Sequence, residues 1–391
     1  MQTDVRQKNA LIILVFTTSR LVMNIMFRLP YAFLPVLARG LGVEVSLFST
    51  ALGLRSFASA SAPFLAAASD SRGRKFGLLL GMVIFLVGMG LVVAFPIFPV
   101  FVGAMLLSSI GKAAFDPATQ AYLGDRIPYR VRSRAIGVTE FSWSLSILIG
   151  VPLMGLVIRE GGWAAPFPIL FVLGAACLIL VVALVPADKR ETSENSGLMR
   201  GFRTVFQSRA AVLVLLGAMF ISGANEAVNI VFAVWIDTSF GLQIAALSAA
   251  SLAIGFAELG GESLVTVFTD RLGKLRSVLL GISLNCLAVL ALPFLSGSLI
   301  AVLAGLFFFY LVFEFSLVSL IPLATEVLPD ARATLLAFNV TFFFLGRALV
   351  ALVAPSVFTQ AGIWGTAILT IFINGLALAV LLLLRRQPSP A

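Results

Sequence analysis

The sequence predicts an all-α membrane protein of twelve transmembrane helices, arranged as two pseudo-symmetric bundles of six. The chain of 391 residues is 60% hydrophobic and only 12% charged, whereas soluble domains are nearer half apolar and a quarter charged. Runs of about 20 apolar residues, the length that crosses a bilayer, follow one another along the chain. The second six runs repeat features of the first six. Such a composition excludes a soluble fold and also disorder, which needs low hydrophobicity.

The predicted spans are joined by short loops, except for one charged linker after the sixth. Helices are expected because the alternating hydrophobicity of a membrane β-barrel is missing from these runs. The linker divides the chain into an N-terminal bundle at 1–186, a linker at 187–209 and a C-terminal bundle at 210–391. The spans are predicted at 10–38, 44–68, 76–95, 98–122, 135–159, 164–186, 210–236, 243–267, 277–294, 299–324, 334–359 and 365–384.

Lys and Arg are concentrated on one side of the predicted membrane, and this asymmetry sets the orientation. Both tails, the linker and the loops after even-numbered spans are basic, whereas the opposite loops carry only Arg39 and Arg159. The positive-inside rule therefore predicts cytoplasmic termini. The net charge of +9 reflects this topology, so we expect a lipid bilayer and no nucleic acid as partner. A bacterial inner membrane is the expected location.

Other features of the sequence limit the remaining functional classes. No P-loop and no metal-ligand spacing is present, so we expect neither a cofactor nor a metal. Cys177 and Cys286 fall inside spans, where they are expected to serve as packing residues. Trp163, Trp235 and Trp364 fall at predicted outer ends, as in an interfacial aromatic belt.

The two halves repeat each other at an offset of about 200 residues. The six residues that follow span 2 and span 8 are similar, and so are the loops that follow spans 4 and 10. Because both halves have the same topology, they form a parallel repeat, which places a binding site near mid-membrane between the halves. The matching segments are Asp70-Ser71-Arg72-Gly73-Arg74-Lys75 with Asp270-Arg271-Leu272-Gly273-Lys274-Leu275, and Asp125, Pro128 and Arg132 with Glu326, Pro329 and Arg332.

The loop after span 2, and more weakly its copy after span 8, resembles the Asp-x-x-Gly-basic-basic signature of the major facilitator superfamily. The likeness to this family extends over essentially the whole chain. Ala66 and Ser71 depart from the usual pattern. The resemblance implies a transporter, not an enzyme, whose spans 1, 4, 7 and 10 line a central cavity. It also implies a cytoplasmic gate, although these charges could merely fix topology. The gate residues would be Asp70, Gly73, Arg74, Lys75, Arg132, Glu258, Glu262, Asp270, Arg271, Gly273, Lys274 and Arg332.

Span 5 resembles, in part, an element of the drug/proton antiporters of that family. In the segment Gly150-Val151-Pro152-Leu153-Met154-Gly155, Pro152 and Gly155 match the Gly-Pro-x-x-Gly pattern, whereas Val151 replaces a Gly. Those antiporters also carry an Arg four residues before a Gly in span 4. Leu107 stands at that position, before Gly111. The element therefore favours export but departs from the standard antiporter pattern.

Ionisable residues inside spans avoid every third span. Charges in hydrocarbon are costly and normally face a cavity or a partner. The first half carries an excess of basic groups and the second an excess of acidic ones, which suits either a gate or a polarised substrate site. Arg20, Asn24 and Arg28 form one stripe at i, i+4 and i+8. The candidate substrate-binding residues are Arg20, Asn24, Arg28, Arg55, Lys112, Asn225, Asn229 and Arg347.

Proton coupling is predicted to use buried carboxyl groups, which can exchange protons near neutral pH. The chain contains no His, so His cannot be the carrier. Sodium remains open as the coupling ion. Three alternatives also stay open. Lys112 and Asp116 could form a structural ion pair, and Arg28 could snorkel outward. Glu258 and Glu262, which share a face of span 8, could belong to the cytoplasmic gate rather than to the substrate site. The candidate proton carriers are Asp116, Glu140, Glu226 and Glu314.

Together these observations predict a secondary active transporter that works by alternating access. We predict proton-coupled export of an amphiphilic or drug-like small molecule by a monomer. The alternative is a proton-coupled symporter that imports an organic anion or a sugar-like solute. A membrane enzyme acting on lipids is the remote alternative. Such an enzyme usually has larger loop domains and catalytic groups at the membrane interface, whereas the loops predicted here are short.

Overall fold

The computed structural model of the chain describes residues 2–60, 73–127, 129–186, 196–241, 244–328 and 331–384. Side chains are described throughout these ranges except at 2–9, 129–134, 196–201 and 332–333. Within them the chain is helical and forms no strand. The helices are α1 Gln2–Ala32, α2 Leu34–Gly40, α3 Val45–Ser59, α4 Arg74–Ala94, α5 Phe98–Arg126, α6 Tyr129–Leu145, α7 Val151–Gly161, α8 Pro166–Leu184, α9 Ser196–Gln207, α10 Arg209–Asn229, α11 Phe232–Phe240, α12 Ile244–Leu272, α13 Lys274–Ala291, α14 Leu299–Val327, α15 Arg332–Ala351 and α16 Ala354–Leu384.

The described residues contain eleven candidate membrane spans, or twelve if α2 and α3, which are bent by 112° relative to each other, count as one. These spans fall where the sequence predicts them, because long apolar runs have no other way to bury their backbone in hydrocarbon. Of the predicted second span, 44–68, the structure describes α3 and Ala60. The all-helical membrane fold is thus confirmed.

By contacts the chain forms two compact units. Unit 1 combines Met1–Glu44 with Ser61–Ser193, and unit 2 combines Val45–Ala60 with Glu194–Ala391. In unit 1, α4 packs along α5 and α8, and α1 packs on α6 and α8. In unit 2, α10 packs on α15 and α16, α12 and α13 pack on α14, and α3 packs on α15. The helix that carries Arg55 therefore belongs with helices from the second half of the chain.

The two units repeat their local backbone geometry as well as their sequence. Gly73 precedes α4 with φ 102° and ψ 149°, and Gly273 precedes α13 with φ 86° and ψ 140°. A side chain would be strained at either position. The repeated loop therefore needs its Gly to turn the chain sharply between two spans.

Several spans are interrupted near the middle or one end. The helix of span 1 breaks at Phe33, just before Pro35, which lacks an N–H to donate. In span 5 a π-turn, Ser146–Gly150, precedes α7 and its Pro152. Proline at this position accounts for the wider turn, since it cannot donate to the preceding helical carbonyl. Span 7 breaks at Ile230, and span 11 breaks after Ala351.

One tryptophan departs from the predicted aromatic belt. Trp235 on α11 is only 3% exposed, so it packs inside unit 2 and the prediction is wrong for this residue. A window of apolar residues cannot show which side of a helix faces its neighbours, because Trp suits both places. Trp364 is exposed beside Phe294, and Trp163 packs edge-on against Phe101 and Phe167.

The predicted linker contains a helix. α9 lies at its C-terminal part, and Phe202 and Phe206 pack against Phe338 of α15 at centroid distances of 5.3 and 5.2 Å. Residues 187–195 lie outside the described ranges. The second half of this segment is therefore attached to unit 2 through aromatic contacts.

Candidate functional site

The predicted polar stripe of span 1 lies on the buried face of α1. Arg20, Asn24 and Arg28 are 4%, 0% and 9% exposed. They lie one turn apart, because four residues advance a helix by slightly more than one turn. The helices that pack around this stripe are α5 and α6, both in unit 1.

Arg20 binds two carboxylates through its whole guanidinium group. Nη1 and Nη2 donate to the two carboxylate oxygens of Glu140 at 2.6 and 3.0 Å, and Nε donates to Asp116 Oδ1 at 3.1 Å. The two-pronged contact with Glu140 is the strong form of such a pair, since both hydrogen bonds are charge-assisted. Three helices, α1, α5 and α6, thus meet at one cation.

Lys112 extends this network along α5. Its Nζ lies 2.5 Å from Asp116 Oδ2 and 2.5 Å from Asn24 Oδ1. The pairing of Lys112 and Asp116 at i, i+4, which the sequence predicts, is present. Hereafter "cluster 1" denotes Arg20, Asn24, Lys112, Asp116 and Glu140.

Arg28 lies beside cluster 1 and stacks on a tryptophan. Its guanidinium carbon is 3.8 Å from the centre of the Trp143 ring. The same ring lies 5.6 Å from Lys112 Nζ. An aromatic face attracts cations through its quadrupole, and more strongly when water is excluded. The structure therefore places Arg28 inside unit 1, over Trp143, in place of the snorkelling arrangement.

Sequence reasoning missed four polar or aromatic residues of this region. Thr139 accepts a hydrogen bond from Arg20 at 3.3 Å, and Ser142 accepts one from Asn24 at 3.2 Å. Gln120 donates to Glu140 at 3.3 Å, and Trp143 carries the cations described above. The signal was available: 139–146 is the most polar segment of span 5, and its hydroxyl groups recur at helical spacing.

Unit 2 contains a second polar cluster, made by α10, α14 and α15. Arg347 Nε lies 2.9 Å from Glu226 Oε2, and its Nη2 donates to Asn225 Oδ1 at 2.9 Å. Asn229 donates to Glu226 Oε2 at 3.2 Å and accepts from Tyr310 OH at 2.8 Å. We call Asn225, Glu226, Asn229, Tyr310 and Arg347 "cluster 2". Sequence reasoning missed Tyr310, although it lies one turn before Glu314 on the same span.

Cluster 2 is more deeply buried than cluster 1. The Glu226 side chain is 0% exposed and that of Arg347 is 9% exposed, whereas the Asp116 and Glu140 side chains are 22% and 45% exposed. The carboxylates of cluster 1 are thus partly exposed, whereas the carboxylate of cluster 2 is enclosed. The two clusters differ in access although both pair an arginine with a glutamate.

The other candidate residues of unit 2 are also buried, wholly or in part. Arg55 on α3 is 1% exposed, and Glu258 and Glu314 are 5% and 7% exposed. Glu262 lies one turn after Glu258 on α12 and is half-buried. A Cβ added at Gly261 would lie 2.7 Å from the Glu314 Cβ, so α12 and α14 approach closely beside these carboxyl groups.

The predicted gate residues that the structure describes include an ion pair repeated in each unit. In unit 1, Arg74 Nε lies 3.4 Å from Asp125 Oδ2; in unit 2, Lys274 Nζ pairs with Glu326. Lys75 donates to the carbonyl of Val182 at 3.0 Å. Asp270 and Arg271 lie at the C-terminal end of α12. Asp70 and the side chains of Arg132 and Arg332 lie outside the described residues.

Charge is unevenly divided within unit 1. Arg20, Arg28 and Lys112 face the two carboxylates of Asp116 and Glu140. With all five groups ionised, this region keeps one positive charge. Over the described residues, no three His, Cys, Asp or Glu side chains meet in a way that could hold a metal ion.

Comparison with known proteins places the chain in a family. A model of the Major Facilitator Superfamily matches residues 16–313. The chain is 27% identical over 285 residues to an uncharacterized MFS-type transporter, YwfA, of Bacillus subtilis strain 168, covering 70% of this chain and 68% of that one. It is 28% identical over 208 residues to Multidrug resistance protein 1 of the same organism, 51% of each chain.

A solved structure shows the same fold. The crystal structure of a bacterial homologue of the human lysosomal transporter Spinster, in an inward-facing and unoccupied conformation, matches with a TM-score of 0.79. The match covers 98% of this chain and 99% of that one, at 16% identity. Since the family model also spans most of the sequence, the protein belongs to the Major Facilitator Superfamily and is an integral membrane transporter, not an enzyme.

Proposed function

We propose that the protein is a secondary transporter that exports an amphiphilic small molecule in exchange for protons, by alternating access and as a monomer. The observation that carries the proposal is the contact of Arg20 with Glu140. The Arg20 side chain is 5% exposed, whereas that of Glu140 is 45% exposed. A carboxylate that is bound to a buried cation and is itself partly exposed can receive a proton and thereby change what the cation binds.

The chemistry of this step follows from the hydrogen bonds. Ionised Glu140 accepts two bonds from Arg20, at 2.6 and 3.0 Å. A proton on Glu140 removes the charge that attracts the guanidinium and occupies one acceptor oxygen. Arg20 then keeps Asp116 and the Thr139 hydroxyl group as partners, so the attachment of α6 to α1 and α5 is weakened. Proton binding thus loosens one helix of unit 1, a change that a transport cycle can use.

Cluster 2 is proposed to keep its ion pair during this step. Glu226 is fully buried against Arg347, so a proton reaches it only after unit 2 rearranges. Glu314 and Asp116 remain further candidates for proton binding. The substrate-binding candidates are the polar residues of each cluster, with Arg28 in unit 1 and Arg55 in unit 2, and the repeated loops would form the cytoplasmic gate. We place both termini in the cytoplasm, in a bacterial inner membrane.

Export is supported by sequence similarity and by span 5. One relative is named Multidrug resistance protein 1, and Pro152 follows a π-turn in the segment that resembles the antiporter element. The second candidate is import of an organic anion with protons. It is favoured by the surplus positive charge of Arg20, Arg28 and Lys112 in unit 1.

The experiment is proton movement in proteoliposomes that contain a pH-sensitive dye. Lipophilic drugs and small organic acids are added in turn to vesicles that hold a pH gradient. We expect a lipophilic compound to dissipate the gradient by moving opposite to protons, and Glu140→Gln to abolish this response. Glu160→Gln is the matched control, since the Glu160 side chain is 81% exposed in the last turn of α7. Proton movement in the same direction as an organic acid would establish the second candidate, and substrate flux indifferent to pH would refute proton coupling.

A further inference from the structure

Unit 2 contains a cavity that neither cluster uses. It has a volume of about 380 Å³ and lies where α3 begins, where α10 gives way to α11, and beside the start of α16. Its floor is buried: Ile230 and Val231 are 1% and 2% exposed. Exposed hydroxyl-bearing residues, Ser46, Thr238 and Thr359, stand at its mouth.

One polar group inside this cavity lacks a partner. Ser49 on α3 is 1% exposed, lines the cavity, and its hydroxyl group makes no hydrogen bond to any described residue. An unsatisfied buried hydroxyl costs about 1–3 kcal/mol. Helix serines commonly relieve this cost by donating to the carbonyl four residues earlier, as Ser56 and Ser59 of the same helix do. Ser49 makes no such bond, and its side chain lines the cavity.

The hydroxyl groups at the mouth are arranged to accept hydrogen bonds. Thr238 Oγ1 donates to the Trp235 carbonyl at 3.1 Å, and Thr359 Oγ1 donates to the Pro355 carbonyl at 2.8 Å. Because each hydroxyl proton is used, these two groups can only accept a further hydrogen bond. Ser49 can both donate and accept at the floor. The lining residues, which are apolar or hydroxyl-bearing, offer no charge.

We propose that this cavity is a binding site for a neutral amphiphile, with an apolar body and one hydroxyl or carbonyl group that pairs with Ser49. The apolar floor of Ile230 and Val231 covers the body, and the uncharged lining rejects ionised compounds, whose desolvation nothing here offsets. The site is distinct from both clusters and does not depend on proton coupling or on the direction of transport. A neutral membrane lipid and a neutral transported compound share this chemistry.

The test uses a diazirine-bearing eight-carbon alcohol as a photoreactive probe, with the full-length protein in phosphatidylcholine nanodiscs. We expect labelling of residues in α3, α11 or α16 that excess 1-octanol prevents. Ser49→Ala removes the hydrogen-bonding partner and should weaken protection by 1-octanol about five- to tenfold. Ser46→Trp closes the mouth from an exposed position and should abolish the labelling. Leu47→Trp, which adds the same indole at the next, half-exposed residue outside the lining, should leave it unchanged.

The outcomes distinguish a membrane lipid from a transported compound as the ligand, and they can overturn the proposal. Competition by monoolein identifies a neutral lipid as the occupant, whereas competition by an uncharged compound from the transport panel identifies a transported molecule. Labelling that 1-octanol does not reduce, or that persists equally in Ser46→Trp and Leu47→Trp, would refute the site. Because binding is measured without a gradient, this result is independent of whether proton exchange is found.

Discussion

Arg20 on α1 holds Glu140 on α6 through two hydrogen bonds, although 120 residues separate them along the chain. The same guanidinium group binds Asp116 on α5. One buried cation therefore fixes the relative positions of three helices of unit 1. Its geometry, as well as its charge, must matter, because only a planar fork can meet both oxygens of a carboxylate.

Replacing this arginine with lysine tests the role of the fork. Arg20→Lys retains the charge but offers a single ammonium point, so Glu140 and Asp116 can no longer both be bound in the present geometry. We expect transport in proteoliposomes to fall at least about tenfold, as expected for loss of a bidentate charge-assisted contact. Arg159→Lys is the control, since Arg159 is 69% exposed. Equal activity of Arg20→Lys and the parent would show that charge alone suffices.

Cluster 2 allows a sharper test through a double-variant cycle. Glu226→Gln leaves the buried Arg347 charge without its carboxylate, which typically costs about 3–5 kcal/mol. Removing both charges in Glu226→Gln/Arg347→Gln avoids this penalty. We therefore expect the single variant to unfold several degrees below the parent in thermal denaturation of the purified protein, and the double variant to recover most of the loss.

The control for this cycle is Asn285→Ala, combined with Asn374→Ala. These amides also bond across helices of unit 2, at 2.8 Å, but carry no charge. Their double variant should show no comparable recovery. Additive losses for Glu226 and Arg347 would mean that their ion pair contributes nothing specific to stability.

Short-range spacing predicted some of the local helix geometry correctly. Arg20 and Asn24 share a buried face, and Lys112 pairs with Asp116, because residues four apart lie one above the other on any helix. Apolar run length likewise predicted the spans, since hydrocarbon permits little else. These results depend on one helix at a time, which is the information that a single sequence carries.

Contacts between helices could not be predicted from spacing within a single helix. Arg347 pairs with Glu226, which lies 121 residues earlier in the chain, and the spacing of polar residues within either span does not indicate this partner. The grouping of α3 with unit 2 was equally hidden, because Arg55 precedes the repeated loop in the first half of the chain. Trp235 was misplaced for the same reason: its burial depends on which helices surround α11.

The repeated ion pairs permit a test of the proposed gate. Lys274 pairs with Glu326 near the surface of unit 2, with side chains 26% and 59% exposed. Exposed pairs contribute only about 0–1 kcal/mol, so Lys274→Gln should shift the melting temperature little. If the pair serves the gate, transport should nevertheless fall about fivefold, the effect of roughly 1 kcal/mol on a conformational equilibrium.

Exchanging the two charges supplies the control for this variant. Lys274→Glu/Glu326→Lys restores an attractive pair and should recover transport relative to Lys274→Gln, whereas Lys274→Glu alone should be the weakest of the three. Initial rates of substrate efflux from vesicles measure these differences. If the exchange restores nothing, attraction between these two charges is not what transport requires of Lys274.

The packing of α10 on α15 leads to a final prediction about cluster 2. A Cβ added at Gly346 would lie 2.0 Å from the Met219 carbonyl oxygen, so these two backbones approach as closely as only a small residue allows. Gly346→Ala must push the helices apart and carry Arg347, the next residue, away from Glu226. We expect a loss of about 1–3 kcal/mol, as overpacking typically costs, together with reduced transport. Gly375→Ala on α16, where a Cβ meets nothing within 4 Å, should be neutral or stabilising. Thermal denaturation and efflux rates measured on both variants check the prediction, and similar behaviour of the two would show that close approach at Gly346 does not position the ion pair.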